Sequence, residues 1–146
     1  MDRTKSTLSA LWIFATLNYL YCDVVTLMDP GLLKNFLAGS IGGMPITQEF
    51  LLGAAVLVEI PISMVLLSRV LGYRSNRLAN IAAGMTMTIV QLLTIFARTP
   101  APYYAFFSVI EIACTAAVVL YAWKWAADER AVSGQKKIVR EAVIAR

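Results

Sequence analysis

Three carboxylates stand where apolar surroundings should exclude them. Asp23 lies within "TLSALWIFATLNYLYCDVVTLM", Glu59 within "LLGAAVLVEIPISMVLL" and Glu111 within "YYAFFSVIEIACTAAVVLYAW". On membrane-insertion scales a charged residue at mid-span costs about 2.5–3.5 kcal/mol, while a Leu or Ile returns about 0.3–0.6 kcal/mol. Three such acids in so short a chain need a reason. An acid in an apolar setting can hold a cation, pass a proton, or act as a general acid or base. The structural alternative is also open. The acids could be neutral, bonded to Tyr, Thr, Gln and Asn, and serve only to fix helix register.

Pro61 follows Glu59 by two residues. Proline has no N–H, so the carbonyl of Leu57 loses its helical partner and a bend is expected there. A bare carbonyl at membrane depth is tolerated only against protein or a wet cavity. Glu59 and Pro61 are therefore expected to form one wall of an internal pocket, with Pro61 as its hinge.

Other chemistries are excluded by composition. The chain has no histidine, which removes His-ligated haem, most zinc sites and any Ser-His or Cys-His unit. Cys22 and Cys114 are the two cysteines and form no C-x-x-C. Their expected depths differ by more than a disulfide allows, so two free thiols are expected. No cofactor is expected.

The elements that must position the acids follow from hydropathy. Of 146 residues, 59% are hydrophobic, and the mean hydropathy is +0.68. Soluble domains lie nearer 45–50% apolar. The excess falls in four runs, at about 7–28, 47–71, 78–97 and 102–125. At about 1.5 Å per residue each is long enough to cross a core of roughly 30 Å. The expectation is all-α: a four-span transmembrane helix bundle over residues 1–127, with a basic tail over 128–146. The first run is read as a retained anchor because no small-x-small cleavage site follows it.

Polar residues three or four apart share a helix face. Trp12, Thr16, Tyr19, Asp23 and Thr26 do so in the first span, with Asn18 and Cys22 beside them. Gln48, Ala55, Glu59 and Ser63 do so in the second. Asn80, Gly84, Thr88, Gln91, Thr94 and Arg98 form the third set, and Tyr104, Ser108, Glu111 and Thr115 the fourth. Four such faces predict a polar interior. Glu59 should lie roughly 18 Å and Glu111 roughly 14 Å from the outer end, close enough in depth to meet across the bundle. Asp23 and Arg98 are expected to pair near that end. The candidate ligand-binding residues are Asp23, Glu59, Glu111, Tyr19, Gln91 and Asn18.

All 13 Lys and Arg residues except Lys34 and Arg98 fall on one side of this arrangement. The bias predicts both termini in the cytoplasm of an inner (plasma) membrane protein. The net charge of +4 is then topology, and no nucleic-acid partner is implied. The tail can form a short basic helix on the inner leaflet or stay frayed. Leu32, Leu33, Phe36 and Leu37 can form an amphipathic turn or two on the outer surface, as a connector or a lid. Trp12, Trp123, Trp125, Tyr103 and Tyr104 are expected in the interfacial belts.

The motifs "LWIF…LNYLYCDV", "VEIPISMVLLSRVL" and "NRLANIAAG" resemble an uncharacterised family among the small four-helix bacterial membrane proteins called DoxX-like. A fainter resemblance runs to the sigma-2 receptor and emopamil-binding (EXPERA) group, whose members carry intramembrane acids and a Glu followed by proline. That likeness implies binding of sterol-like or cationic amphiphiles, with Asp23 and Glu59 facing the ligand. The histidine used by the sterol isomerases of that group has no counterpart here.

The expected function is to bind or move a small lipophilic molecule, cation or proton through a polar intramembrane pocket. The alternatives are a small membrane enzyme or enzyme subunit using the same acids, and a purely structural membrane partner. Besides the bilayer, the candidate partners are a lipophilic or cationic small molecule and a second copy of the chain.

Overall fold

The computed structural model describes residues 3–97 and 100–144, with side chains described at 3–96 and 100–125. Four helices long and apolar enough to cross a membrane dominate it. They are α1 (Arg3–Leu27), α3 (Gln48–Val70), α4 (Tyr73–Ala97) and α5 (Pro102–Ile144). A short α2 (Pro30–Leu37) and a two-stranded hairpin, β1 (Ser40–Ile41) and β2 (Met44–Pro45), connect α1 to α3.

The helices begin earlier than hydropathy implies. α1 starts at Arg3 and not near Thr7, and α4 starts at Tyr73 and not near Leu78. Polar first turns are compatible with helix once they leave the apolar core. α3 ends at Val70 with Leu71 as its C-cap, and the Asn76 N–H already donates to the Gly72 carbonyl at 2.8 Å. The α3–α4 connection is therefore a tight corner. α5 runs without a break to Ile144, so the backbone of the basic tail continues the last span. No proline stands between Trp125 and Ile144. Gly134 alone, at about 1 kcal/mol, does not stop the helix.

At the opposite end Asp29 caps α2, its Oδ1 accepting from the N–H groups of Gly31 (2.9 Å) and Leu32 (3.2 Å). The chain returns through Gly42 and Gly43, whose φ values of +60° and +83° suit a two-residue hairpin turn. Thr47 caps α3, its Oγ1 accepting from the Phe50 N–H at 3.2 Å.

α1 packs on α3 and α5, and α4 packs on α5 and α3. α1 and α4 thus face each other across one diagonal, and α3 and α5 across the other. Leu8, Trp12, Ala15, Met64, Met87, Val118 and Trp125 form the apolar core. Every buried residue of α3 lies at or after Pro61: Pro61, Met64 and Ser68. Before the proline the contact is lighter: Leu57 and Ile60 are only partly buried against the core, and residues 48–56 are exposed.

α4 and α5 approach closely at Gly84. A Cβ on Gly84 would stand 2.7 Å from Val119 Cγ2 and 3.2 Å from the Thr115 carbonyl oxygen. Overpacking of this kind typically costs about 1–3 kcal/mol. Gly84→Val is therefore expected to lower the unfolding midpoint clearly. Gly53→Val is the control, because a Cβ there meets nothing within 4 Å, and it should leave the midpoint in place. Equal midpoints for the two variants would contradict this packing.

Four spans put both termini on one side of a bilayer, and the charge bias predicts that this side is the cytoplasm. A periplasm-active reporter fused at Ala38 should work, and one fused at Ser75 or after Arg146 should not. Activity at either of the last two positions would overturn the topology.

Candidate functional site

Buried polar groups occur in two layers, and they differ in how far their hydrogen bonds are completed. In the layer nearest the termini the bonds around Asn80 are complete, and the one buried side-chain atom left open at this end among the described residues is Arg77 Nε, next to Asn76. Asn80 Oδ1 accepts from Trp12 Nε1 at 2.7 Å and from Ser68 Oγ at 3.2 Å. Asn80 Nδ2 donates to the carbonyl and to Oδ1 of Asn76, at 2.9 and 2.6 Å. Asn76 Nδ2 donates to the Ser68 carbonyl at 2.6 Å. Ser9 Oγ donates to the Val65 carbonyl at 2.8 Å and accepts from Arg69 Nε at 2.9 Å. Lys5 Nζ reaches the Leu71 carbonyl at 2.6 Å. A network so complete fixes helix register.

The second layer lies further into the bundle and is incomplete. Gln91 Nε2 donates to Ser108 Oγ at 2.7 Å, and the hydroxyls of Thr88 and Thr115 are 2.8 Å apart. Thr115 Oγ1 also donates to the backbone carbonyl of Glu111 at 3.0 Å. The Glu111 side chain itself is 1% exposed, yet its Oε1 has no hydrogen-bond partner, and neither has the buried hydroxyl of Tyr19. Tyr19, Cys22, Asp23 and Tyr104 all lie near enough to Glu111 for their charges to interact with it. Tyr104 in turn lies against Gln91 and Thr94.

Buried polar atoms are normally paired, because an unmet one costs about 1–3 kcal/mol. An orphan carboxyl close to an orphan phenol can accept a ligand's N–H or O–H, hold a cation, or trade a proton. Glu111 and Tyr19 are the pair so placed, and Gln91, Ser108 and Tyr104 border them.

The remaining candidates are distributed differently. Asp23 is exposed on α1, next to the buried Cys22. Asn18 Nδ2 is taken up by the Phe14 carbonyl of its own helix at 3.0 Å. Cys22 and Cys114 are free thiols, both buried. Arg98, the expected partner of Asp23, lies outside the described residues.

Glu59 requires a correction. It is exposed, and its Oε1 accepts from Ser63 Oγ at 3.1 Å, while Pro61 is fully buried. Residues two apart on a helix point about 200° apart, so the two cannot line one wall. The expected meeting of Glu59 with Glu111 is also absent, because α3 and α5 are diagonal and Glu59 faces outward. The aromatic expectation changes as well. Trp12 and Trp125 are core residues, the first bonded to Asn80 and the second edge-on to Tyr73 at 5.0 Å between ring centroids. Trp123 is exposed, with Arg77 5.8 Å from its ring.

A family model matches residues 1–132, a range that contains all four spans up to Trp125 and the three intramembrane acids. The chain belongs to the DUF6326 family, a family of unknown function. A search of curated proteins matches none, and a search of solved structures matches none. Membership in DUF6326 therefore assigns no chemistry, and the functional reading must come from the site.

In this DUF6326 chain, three buried participants in the polar layers escaped the periodicity argument: Ser9, Ser68 and Asn76. Each had a signal. Asn76 stands four residues before Asn80, and Ser9 three before Trp12. Ser68 follows Met64 by four on the face that packs.

Proposed function

We propose that the chain binds, and passes across part of the bilayer, a small lipophilic molecule bearing a cationic or proton-donating group. Glu111 is the acceptor and Tyr19 its neighbour at the site. The observation that carries this reading is the buried Glu111 Oε1 without a partner, within electrostatic reach of an equally unpartnered Tyr19 hydroxyl. Asn80 supports it by contrast, because both atoms of its amide are bonded twice. Of the three buried side-chain atoms left open among the described residues, two, Glu111 Oε1 and the Tyr19 hydroxyl, belong to this site, and the third, Arg77 Nε, stands at the other end of α4. Asp23, exposed on the same side of the bundle and electrostatically coupled to Glu111, adds negative charge on the approach. The role that sequence spacing assigned to Glu59 passes to Glu111. In this reading the protein lies in the inner (plasma) membrane with its termini in the cytoplasm, which the charge bias supports. The fainter likeness to the emopamil-binding group accords with an amphiphile as ligand.

The test is what the protein retains. Parent and Glu111→Gln are purified in detergent, and the small molecules that accompany each are identified by mass spectrometry. An amphiphilic amine or alcohol enriched with the parent and depleted from Glu111→Gln is the expected result. If incubation with the parent chemically alters that compound, the site is catalytic and the binding reading fails. Equal small-molecule content in the two preparations also overturns it.

A further inference from the structure

α3 carries two opposed seams. One faces its own bundle through Pro61, Met64 and Ser68. The other consists of Gln48, Leu52, Ala55, Glu59, Ile62 and Leu66, all exposed; Leu52 is 67% and Leu66 63% uncovered. Their spacing alternates by four and three. That is the a/d pattern of a helix seated against another helix, and among the described residues no helix occupies it.

Glu59 lies at the middle of this outer seam, about 17 Å from the start of α3 at about 1.5 Å per residue. An acid facing hydrocarbon at that depth is unfavourable, and one bond from Ser63 leaves the rest of the carboxyl unmet. The described cations do not reach it. Arg3, Lys5, Lys34, Arg69, Arg74, Arg77 and Lys124 all stand at or beyond the ends of the spans.

We propose that a second copy of the chain packs on this seam, with Glu59 of each copy bonded to the partner's Glu59 across a two-fold axis along the membrane normal. Such an axis brings each residue opposite its own counterpart at the same depth. A carboxylic acid that keeps its proton is both donor and acceptor, so two identical acids complement one another without any cation. Ala55, one turn away, lets the backbones approach. A polar residue at a single a position is also a recognised device for fixing register and partner number. A different membrane protein would need its own mid-depth polar group to match Glu59, whereas a second copy supplies one by symmetry. This interface is separate from the Glu111 site and stands or falls apart from it.

Disulfide trapping in native membranes tests the proposal. Ala55→Cys lies on the seam. Val58→Cys, one residue from Glu59 and about 100° around the helix, is the off-seam control. Oxidation should link Ala55→Cys chains into dimers at least about tenfold more than Val58→Cys chains, since facing seam positions fall within the roughly 4.4–6.8 Å Cα spacing of a disulfide. Adding Glu59→Leu should abolish the preference, and adding Glu59→Gln, which also donates and accepts, should keep it. Both substitutions are on an uncovered face and leave the bundle interior alone. Equal trapping at the two positions, trapping to a different protein, or trapping that survives Glu59→Leu overturns the proposal. So does a single-chain mass for the parent in nanodiscs.

Discussion

Glu111→Met is expected to make the protein more stable and unable to bind. Methionine keeps most of the volume and removes two oxygens, one of them buried without a partner. Relieving an unmet buried polar group returns about 1–3 kcal/mol, and replacing buried ionisable groups with well-packed apolar ones is often stabilising. Affinity for the co-purified amphiphile should fall by at least tenfold, the equivalent of about 1.4 kcal/mol. Glu111→Gln separates charge from hydrogen bonding. It should keep the parent's unfolding midpoint within a few degrees, and lose affinity for a cationic ligand while retaining part of it for a neutral one. The measurements are unfolding midpoint and ligand titration for the three proteins. If Glu111→Met is less stable than the parent, Glu111 belongs to the architecture, and the site reading loses its foundation.

The four spans were legible because membrane length and hydropathy leave few alternatives for this chain. Three of the four polar faces were legible too. Asn80, Gly84 and Gln91 in α4, Ser108, Glu111 and Thr115 in α5, and Trp12 with the neighbouring Cys22 in α1 are buried as their spacing implied, whereas Asp23 and Thr94, toward the outer ends of the same sets, are exposed. α3 was the exception. Periodicity places residues on a common face, but it does not say which face a neighbour covers. α3 has one seam through Glu59 and another through Pro61, Met64 and Ser68. The more polar of the two was read as the inner one, because a polar face was assumed to avoid lipid. Trp12 and Trp125 were assigned to the interfacial belt for a different reason, their position near the inner ends of the spans. Their indole and ring-edge contacts, to Asn80 and Tyr73, are long-range in sequence and carry no local signature. The incomplete bonding around Glu111 was not legible at all, because pairing is a property of three helices together.

These placements divide the polar residues by consequence. Where bonding is complete, a substitution strands partners; where it is open, a substitution relieves strain on the fold. The two layers therefore predict stability changes of opposite sign for changes of similar chemical character.

Asn80→Leu is the counterpart of Glu111→Met and should be among the most damaging single changes in the chain. The two side chains are similar in size, so no large cavity is created. What is lost is the hub of the layer nearest the termini. Asn80 Oδ1 is the acceptor for Trp12 Nε1 and for Ser68 Oγ, and its Nδ2 meets both oxygens of Asn76. Trp12, Ser68 and Asn76 are all fully buried, so water cannot replace what leucine removes. At about 1–3 kcal/mol for each stranded donor, the indole and the serine hydroxyl together imply a loss of about 2–6 kcal/mol. That is a large part of the 5–15 kcal/mol typical of a folded domain. A double-mutant cycle isolates the pair. Trp12→Phe removes the indole donor, so Asn80→Leu in that background should cost about 1–3 kcal/mol less than in the parent. Unfolding midpoints in a single detergent would measure all four proteins. Strict additivity would mean that the 2.7 Å bond from Trp12 to Asn80 contributes nothing to the fold, and the division between a structural layer and a binding layer would then fail at its clearest point.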